Sequence, residues 1–358
     1  MKKDAEKKSS GYKKRVTIKD IARHTGYSIA TVSRVLNQSG MFYSKQTYKK
    51  IQKASKELNY HPDGIARGLK TKKTYNIAFL EPWTAEFFFE IFIGVQKAAT
   101  EAGYTVAIFS SNYDTSQEER NINAILSNRL DGVIVPSAIL QNENIFRIVE
   151  NDIPVVIIEK FITSERIPCI SIKNYDISKK AVNYLISLGH KRIGFIAEPL
   201  NVGKVEARFR GYKEALLENG IKLDSSIMFI DDVLKGEELS KSYEYILKNI
   251  ELIRKCTAIF ITSDKFAISA IKALKKFGIK VPEDISIVGF DGLEISRFIN
   301  PTLTTVVQPR FEMGYRAMKM LLDKINKRPV ESIELKAELF IGESTSALSS
   351  ATGIATGS

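Results

Sequence analysis

Apolar residues recur at helical spacing in two short stretches near the start of the chain. The positions that form these stripes are Ile18, Ile21, Ala22, Val32, Val35 and Leu36. Such spacing is typical of helices that bury one face. Between the stretches lies Gly26, which can adopt the positive φ of a tight turn. Thr17 and Ser28 each stand one residue before a predicted helix, where N-caps belong. The pattern predicts two short helices joined by a turn.

Three residues of the second helix lie on the face opposite its apolar stripe. At about 100° per residue, Ala30, Arg34 and Asn37 fall on the side opposite Val32 and Val35. This face suits a DNA major groove, because a methyl group can contact a thymine methyl and an arginine can donate two hydrogen bonds to guanine. A small helical hairpin with a solvated face would show the same pattern, so the spacing alone leaves both interpretations open.

Short apolar strands alternate with amphipathic helices from Tyr75 onward. The predicted strands span 76–80, 105–110, 132–136, 155–159, 169–172, 192–197, 227–230, 258–262 and 285–290. The predicted helices span 88–102, 117–128, 177–188, 208–219, 265–277 and 313–327, and another helix is predicted earlier, at 44–58. This alternation predicts parallel sheets covered by helices on both faces, and its two consecutive sets predict two doubly wound lobes.

Positive charge is concentrated in the first fifth of the chain. The protein has 358 residues and a formal net charge of +12. Residues 1–75 contain 19 Lys and Arg against 5 Asp and Glu, whereas the remaining residues contain 34 against 36. A basic module beside a near-neutral body is the electrostatic signature of a polyanion-binding protein. A basic tail on an acidic membrane is the competing interpretation, but no basic helix with a broad apolar face is apparent there.

The sequence lacks the residues and motifs that several other function classes require. Only 2 Cys and 3 His occur, without metal-ligand spacing, so no disulfide scaffold, metal site or cofactor is predicted. The glycine-rich phosphate motifs and the nucleophile motif of common α/β enzymes are missing, so we do not expect an enzyme. No apolar run approaches about eighteen residues, and no secretory signal follows the Lys-rich start, so we expect a cytoplasmic protein that does not bind membranes.

Residues 17–37 resemble the DNA-binding headpiece of the lactose repressor/galactose repressor family of bacterial transcription regulators. The matching residues are Thr17, Ile18, Asp20, Ile21, Ala22, Gly26, Ser28 and the run TVSRVLN at 31–37. The resemblance implies a helix-turn-helix that reads palindromic operator DNA, and therefore at least a homodimer, with a tetramer left open. The predicted DNA contacts in this stretch are Thr17, Ser28, Ile29, Ala30, Thr31, Ser33, Arg34 and Asn37.

Residues 59–73 resemble the hinge segment of the same family. In the family this segment becomes a short helix only on the operator, where paired hinges enter the minor groove. The resemblance adds Ala66 and Leu69 to the predicted DNA contacts, with Leu69 as an apolar wedge able to kink the duplex. Asp63 and Gly68 depart from the family pattern, and both would weaken the hinge contact. An interdomain linker whose Leu69 packs on the body is the alternative.

The rest of the chain resembles the family's effector-binding domain, which is similar to periplasmic sugar-binding proteins. The motifs that carry the match are LISLGHKRIGFI, RFRGYKEAL, TAIFITSD, GIKVPEDISIVGFDG, PTLTTVVQP and EMG. We therefore expect an all-α helix-turn-helix headpiece followed by an α/β two-lobed periplasmic-binding-protein-like domain with two doubly wound parallel sheets.

The expected boundaries follow from the charge pattern and the resemblance. They are a disordered basic arm at 1–15, the headpiece at 16–60, the hinge at 61–74, an effector-binding and dimerisation domain at 75–346 and a disordered tail at 347–358. Because the resemblance implies three crossings between lobes, lobe 1 is expected at about 75–187 and 309–336. Lobe 2 is then expected at about 190–304 and 337–346.

The cleft between two such lobes is the predicted effector site, because ligands of open α/β sheets bind at the carboxyl ends of the strands. The resemblance assigns Arg208 and Asp291 to ligand binding, and a structural ion pair is the alternative for each. The other predicted effector contacts are Trp83, Phe87, Phe88, Lys173, Asp176, Asp231 and Ser263. Core packing is the alternative for the aromatic residues. Lys173 stands where the family has Asp, which would favour an acidic or larger sugar.

The sequence therefore predicts a transcription regulator, in its simplest form a repressor, of a carbohydrate-related operon. A sugar-type effector between the lobes would control its DNA affinity, and the protein would act on the nucleoid in the bacterial cytoplasm. The alternative with the same fold is a global carbon-catabolite regulator controlled by a phosphorylated protein partner. The aromatic residues predicted in the pocket favour a direct small-molecule effector.

Overall fold

The chain folds into two compact units that meet in sequence between Thr74 and Tyr75. The computed structural model describes residues 16–36, 43–61, 73–81, 86–111, 114–136, 142–160, 162, 164, 166–200, 203–234 and 238–348. We call the first unit the headpiece and the second unit the body. Each has its own hydrophobic core.

Three helices pack around a small core in the headpiece. They are α1 (Ile18–Thr25), α2 (Ile29–Leu36) and α3 (Lys45–Glu57). The fully buried side chains of this core are Ile21, Val32, Val35 and Ile51. Between α1 and α2, Gly26 adopts a φ of 75° and ends α1 in the left-handed region. The predicted pair of helices, the turn and the third helix are all confirmed.

Two six-stranded sheets form the centre of the body. In chain order the strands are β1 (Asn76–Glu81), β2 (Thr105–Ser110), β3 (Gly132–Pro136), β4 (Val155–Ile158), β5 (Cys169–Ile172), β6 (Ile193–Ala197), β7 (Met228–Ile230), β8 (Ala258–Ile261), β9 (Ser286–Asp291), β10 (Thr304–Val307), β11 (Ile333–Leu335) and β12 (Glu338–Phe340). Sheet 1 has the order β11-β5-β4-β3-β1-β2 and sheet 2 the order β12-β10-β9-β8-β6-β7. Within the described residues the neighbours pair in parallel, except that β12 pairs antiparallel with β10.

Helices cover both sheets. They are α4 (Glu86–Glu101), α5 (Thr115–Ser127), α6 (Asn142–Glu150), α7 (Asn174–Ser187), α8 (Gly203–Glu218), α9 (Leu239–Lys248), α10 (Ile250–Ile253), α11 (Asp264–Lys276) and α12 (Arg310–Ile325). Lobe 1 consists of sheet 1 with α4, α5, α6 and α12, and lobe 2 consists of sheet 2 with α7 to α11. In the described part of the chain, no helix is long and apolar enough to cross a membrane.

The chain crosses from lobe 1 to lobe 2 directly after β5, which corrects the expected end of lobe 1 at 187. Helix α7 packs against α8 and against strands of sheet 2. The two helices approach so closely that a Cβ on Gly211 would collide with the Tyr175 carbonyl oxygen. Helical periodicity could not show this, because it identifies the apolar face of a helix but not the sheet that covers it.

The later crossings agree with the expected arrangement. Helix α12 returns to lobe 1 and packs against α4, where a Cβ on Gly314 would collide with the Ile91 carbonyl oxygen. The final strands then divide between the lobes, with β11 at the edge of sheet 1 and β12 at the edge of sheet 2. The lobes are therefore joined by three segments, and the cleft lies at the carboxyl ends of their parallel strands.

The sequence missed several elements and placed most helix starts too late. The strands β10, β11 and β12 and the helices α6, α9 and α10 were not predicted. Most are short, so their apolar periodicity is weak. The predicted helices of the body begin one to five residues earlier than expected. Some of the added first-turn residues, such as Asn174, Asp264 and Arg310, are polar and do not continue the apolar stripe.

Candidate functional site

Helix α2 presents a compact reading surface on the headpiece. Its buried face holds Val32 and Val35, whereas Ala30 and Arg34 are exposed and Ile29 is 47% exposed. Local hydrogen bonds fix the start of the helix, because the Thr31 N–H donates to Ser28 Oγ at 3.1 Å. The helix therefore exposes methyl groups and a guanidinium on one side while its other side anchors it to the core.

The remaining predicted DNA contacts fall into two groups. Thr17 is exposed at the start of α1, where its backbone N–H and its hydroxyl both donate to Asp20 Oδ2, at 2.9 and 2.7 Å. Thr31 and Ser33 are half-buried along α2. Asn37, Ala66 and Leu69 lie outside the described residues, so their roles stay predictions.

Helix α3 adds a basic surface that the site prediction did not include. Its lysines at 45, 49, 50, 53 and 56 are all exposed. Lys50 Nζ lies 5.4 Å from the centre of the Tyr27 ring, at the turn before α2. The run KQTYKKIQKASKE was the available signal, since five lysines in thirteen residues provide charge for phosphate contacts.

In the body, Arg208 lies in a buried polar cluster at the carboxyl ends of the strands. Its side chain is only 3% exposed. Arg208 Nε donates to Asn174 Oδ1 at 2.8 Å, and Nη1 donates to the Thr262 carbonyl oxygen at 2.9 Å. The guanidinium carbon stacks on the Phe290 ring at 3.6 Å from its centre. Three elements of lobe 2 therefore fix this side chain.

Glu159 faces Arg208 from lobe 1. Its Oε2 atom lies 4.0 Å from Arg208 Nη2, and both side chains are almost fully buried. The carboxylate also accepts hydrogen bonds from the Ile172 N–H at 2.8 Å and from Asn174 Nδ2 at 3.1 Å. Neither Glu159 nor Asn174 was among the predicted contacts. Their signal was a position one or two residues after a buried strand, where ligand-binding residues of this fold class lie.

Asp291 ends β9 on the other side of the cluster. It is 4% exposed and adopts a φ of 122°, in the region that L-residues rarely occupy. Gln308 Nε2 donates to Asp291 Oδ1 at 2.9 Å. Arg310 Nη1 donates to the Asp291 carbonyl oxygen, and Arg310 Nη2 donates to the Gly292 carbonyl oxygen at 3.1 Å. Gln308 and Arg310 were also missed by sequence reasoning.

Ser263 and Asp264 hold the start of α11 beside this cluster. Ser263 is 1% exposed, and its Oγ accepts from the Lys265 N–H at 3.3 Å. Asp264 is fully buried and accepts from the Leu293 N–H at 2.8 Å and from Thr305 Oγ1 at 2.5 Å. Burial, and after it the nearby Asp291 carboxylate, raises the pKa of Asp264 well above its ordinary value. Asp264 is therefore a structural acid that supports the turn after β9.

Three predicted contacts remain at the surface. Lys173 and Asp176 are exposed and form a pair of their own, with Lys173 Nζ 3.9 Å from Asp176 Oδ2. Asp231 is exposed as well, and its Oδ1 accepts from the Val233 N–H at 2.9 Å. The structure thus gives these side chains local partners and does not bring them into the buried cluster.

The predicted aromatic contacts cluster at the start of α4. Phe87 is 5% exposed, and its ring lies 5.2 Å from the Phe88 ring in an edge-to-face arrangement. Two cations approach the Phe87 ring, Arg310 at 5.8 Å and Lys204 of lobe 2 at 5.9 Å. Trp83 lies outside the described residues, so its role stays a prediction.

The cleft combines buried hydrogen-bonding groups with aromatic faces. Such a site suits a small polar ligand, whose hydroxyl groups pair with fixed donors and acceptors while its apolar sides cover the rings. Among the described residues, no group of three or more His, Cys, Asp and Glu could hold a metal ion.

One family match falls within each of the two units. Residues 17–63 match the family described as "Bacterial regulatory proteins, lacI family", and residues 182–345 match the family described as "Periplasmic binding protein-like domain". A similar curated relative is the HTH-type transcriptional repressor CytR of Escherichia coli (strain K12). It is 35% identical over 335 residues, which cover 93% of this chain and 97% of the relative.

Solved structures give the same picture. The chain resembles the Lac repressor dimer bound to operator and the anti-inducer ONPF, with a TM-score of 0.79 and 25% identity over 93% of this chain and 100% of that one. It also resembles the complex of the transcriptional regulator CelR with cellobiose. In that case the TM-score is 0.71 and the identity 26%, over 92% of this chain and 100% of the other. The expected headpiece and two-lobed α/β architecture are confirmed.

Proposed function

Because this chain belongs to the lacI family of bacterial regulatory proteins, it is a DNA-binding transcription regulator and not an enzyme, and we propose that it represses a carbohydrate-related operon. A sugar-type molecule bound between the lobes sets its affinity for the operator. The observation that carries the proposal is the exposed face of α2, where Ile29, Ala30 and Arg34 lie side by side on the strongly basic headpiece.

The proposed DNA contacts divide by chemistry. Arg34 bonds a guanine edge in the major groove, whereas Ile29 and Ala30 contact thymine methyl groups. Thr17, Ser28, Thr31, Ser33 and Asn37 contact the backbone or neighbouring base edges, and Ala66 and Leu69 of the hinge contact the minor groove. The lysines of α3 supply phosphate contacts that position the headpiece.

A palindromic operator requires two headpieces, so the proposed active form is a homodimer. The similar Lac repressor structure is a dimer on its operator, which supports this form. A protein with this task acts in the bacterial cytoplasm on the nucleoid. This is part of the proposal.

The proposed effector contacts centre on the buried cluster. Arg208 Nη2 makes no hydrogen bond within the described residues, so its hydrogens can be donated to a ligand hydroxyl. Asp291, Glu159 and Ser263 supply acceptors close by, and Phe87 supplies an aromatic face. Phe88, Trp83, Lys173, Asp176 and Asp231 are proposed at the periphery of the site. The similar regulator CelR forms a complex with cellobiose, which supports a sugar-type effector.

A ligand screen by thermal shift tests the effector class. The full chain is heated with neutral sugars, sugar acids, sugar phosphates and nucleosides, each at millimolar concentration. We expect one class to raise the melting temperature of the body, because a ligand at 100 times its Kd stabilises the folded state by about 2.7 kcal/mol. The Arg208→Lys variant should lose most of this shift, because a lysine lacks the planar fork.

The screen also separates the two regulatory schemes. A shift with a sugar of any kind supports direct control by a small molecule. If no compound shifts the melting temperature, while a phosphorylated protein partner changes operator affinity, the catabolite-regulator alternative is correct.

A further inference from the structure

The segment that carries the chain from β10 to α12 wraps around the turn after β9. Gln308 donates twice to Asp291, through Nε2 to Oδ1 at 2.9 Å and through its backbone N–H to the carbonyl oxygen at 3.3 Å. Two residues later, Arg310 reaches the same turn with its side chain. Both the carboxylate and the backbone of Asp291 are therefore held by residues 308–310.

Arg310 uses all three nitrogens of its guanidinium. Nη1 donates to the Asp291 carbonyl oxygen, Nη2 donates to the Gly292 carbonyl oxygen at 3.1 Å, and Nε donates to Glu90 Oε2 at 3.0 Å. The side chain is 5% exposed, so these bonds are shielded from water. A planar fork can make three such bonds at once, and a lysine ammonium cannot reproduce their directions.

The turn that Arg310 holds has an unfavourable backbone. Asp291 has a φ of 122° and Gly292 a φ of 68°. A side chain at Gly292 would also be crowded by Val307. A non-glycine residue keeps such a conformation only where surrounding contacts enforce it. The two carbonyl bonds from Arg310 are contacts of this kind.

Arg310 begins α12 of lobe 1, so its carbonyl bonds cross to lobe 2 while its bond to Glu90 ties it to α4 of its own lobe. Glu90 lies on α4 of lobe 1, one turn after Phe87, and its side chain is 49% exposed. The Phe87 ring lies 5.8 Å from the Arg310 guanidinium carbon and 5.9 Å from Lys204 Nζ on α8 of lobe 2. One face of α4 is thus joined to the Asp291 turn of lobe 2 by a single buried side chain.

We propose that Arg310 is the positioning residue for Asp291 and that it makes the geometry of this acid depend on α4 of lobe 1. The proposal rests on the proposed function, in which Asp291 contacts the effector. Glu90 anchors the guanidinium, the guanidinium fixes the two carbonyl groups, and these aim the Asp291 carboxylate. A movement of α4 relative to lobe 2 therefore changes the effector site.

Hydrogen–deuterium exchange on the full chain tests the link without a ligand or DNA. The variants are Glu90→Gln and Arg310→Lys, and the control is Glu312→Gln, which breaks an exposed pair with Arg316 elsewhere on α12. We expect amides of residues 291–298 in lobe 2 to exchange at least fivefold faster in Glu90→Gln, a change made in lobe 1. The control should change this segment less than twofold, and α4 itself should keep its protection.

The double variant distinguishes positioning from two separate structural effects. If Glu90 acts through Arg310, adding Glu90→Gln to Arg310→Lys produces no further acceleration at 291–298. Multiplicative acceleration, or an unchanged rate at 291–298 in Glu90→Gln, overturns the proposal. Because neither result involves an effector, each leaves the proposed function to its own ligand screen.

Discussion

Replacing Arg208 with alanine is expected to lower the free energy of unfolding of the body by roughly 3–5 kcal/mol, the cost of breaking a buried ion pair by removing one partner. The change removes the stacking on Phe290 and leaves Glu159 buried without its cation. It also removes the hydrogen bonds that Arg208 donates to Asn174 Oδ1 and to the Thr262 carbonyl oxygen. Urea unfolding followed by far-UV circular dichroism measures the loss.

A matched control makes the Arg208 prediction specific. Arg254→Ala removes another arginine of lobe 2, but its partner Glu251 is exposed and the arginine itself is 58% exposed. Exposed pairs contribute little, so the control should change the stability by less than about 0.5–1 kcal/mol. Equal losses of unfolding free energy in the two variants would contradict the stabilising role predicted for the buried Arg208 cluster.

Replacing Arg34 with alanine is expected to weaken binding to the cognate operator by about 1–3 kcal/mol, or roughly 5-fold to 150-fold in Kd. Arg34 is exposed on α2 while Val32 and Val35 hold the helix in the core. The variant headpiece should therefore fold normally and lose one base contact. Fluorescence anisotropy with a palindrome selected from a random pool by the wild-type protein measures the change.

The control for this prediction removes the same charge without a base contact. Lys53→Ala on α3 takes away an exposed cation. This variant should raise the Kd for operator DNA and the Kd for random DNA by similar factors, because phosphate contacts carry no sequence information. Arg34→Ala should instead reduce the ratio between the affinity for the operator and the affinity for random DNA. An unchanged operator Kd in Arg34→Ala would contradict the role assigned to this face.

Features that depend on near neighbours could be predicted from the sequence. The caps at Thr17 and Ser28 and the turn at Gly26 involve residues at most three or four positions apart, so the pattern contains them completely. The nine predicted strands are present because each is a short apolar run with clear ends. Arg208 and Asp291 could be singled out as candidate contacts because they lie in motifs of a known family, and both prove to be buried at the strand ends.

Features that depend on the crossings between lobes could not be predicted from the sequence. Glu90 and Arg310 are 220 residues apart, and they meet only because α12 returns to lobe 1 beside α4. The pairing of Glu159 with Arg208 likewise requires both lobes to be folded. Helix α7 was assigned to the wrong lobe because both sheets offer an apolar face to an amphipathic helix. The close packing of α7 on α8 at Gly211 places α7 on sheet 2, and this contact forms only in the folded lobe.

Under the proposed function, a small molecule in the cleft controls how tightly α2 binds operator DNA. The most direct measurement is the Kd of the selected palindrome with and without each compound that stabilises the body in the thermal screen. We predict that at least one saturating compound changes this Kd by about 5-fold to 150-fold, the usual range of allosteric coupling, and leaves a scrambled duplex unaffected. The same operator Kd with and without every stabilising compound would contradict the account.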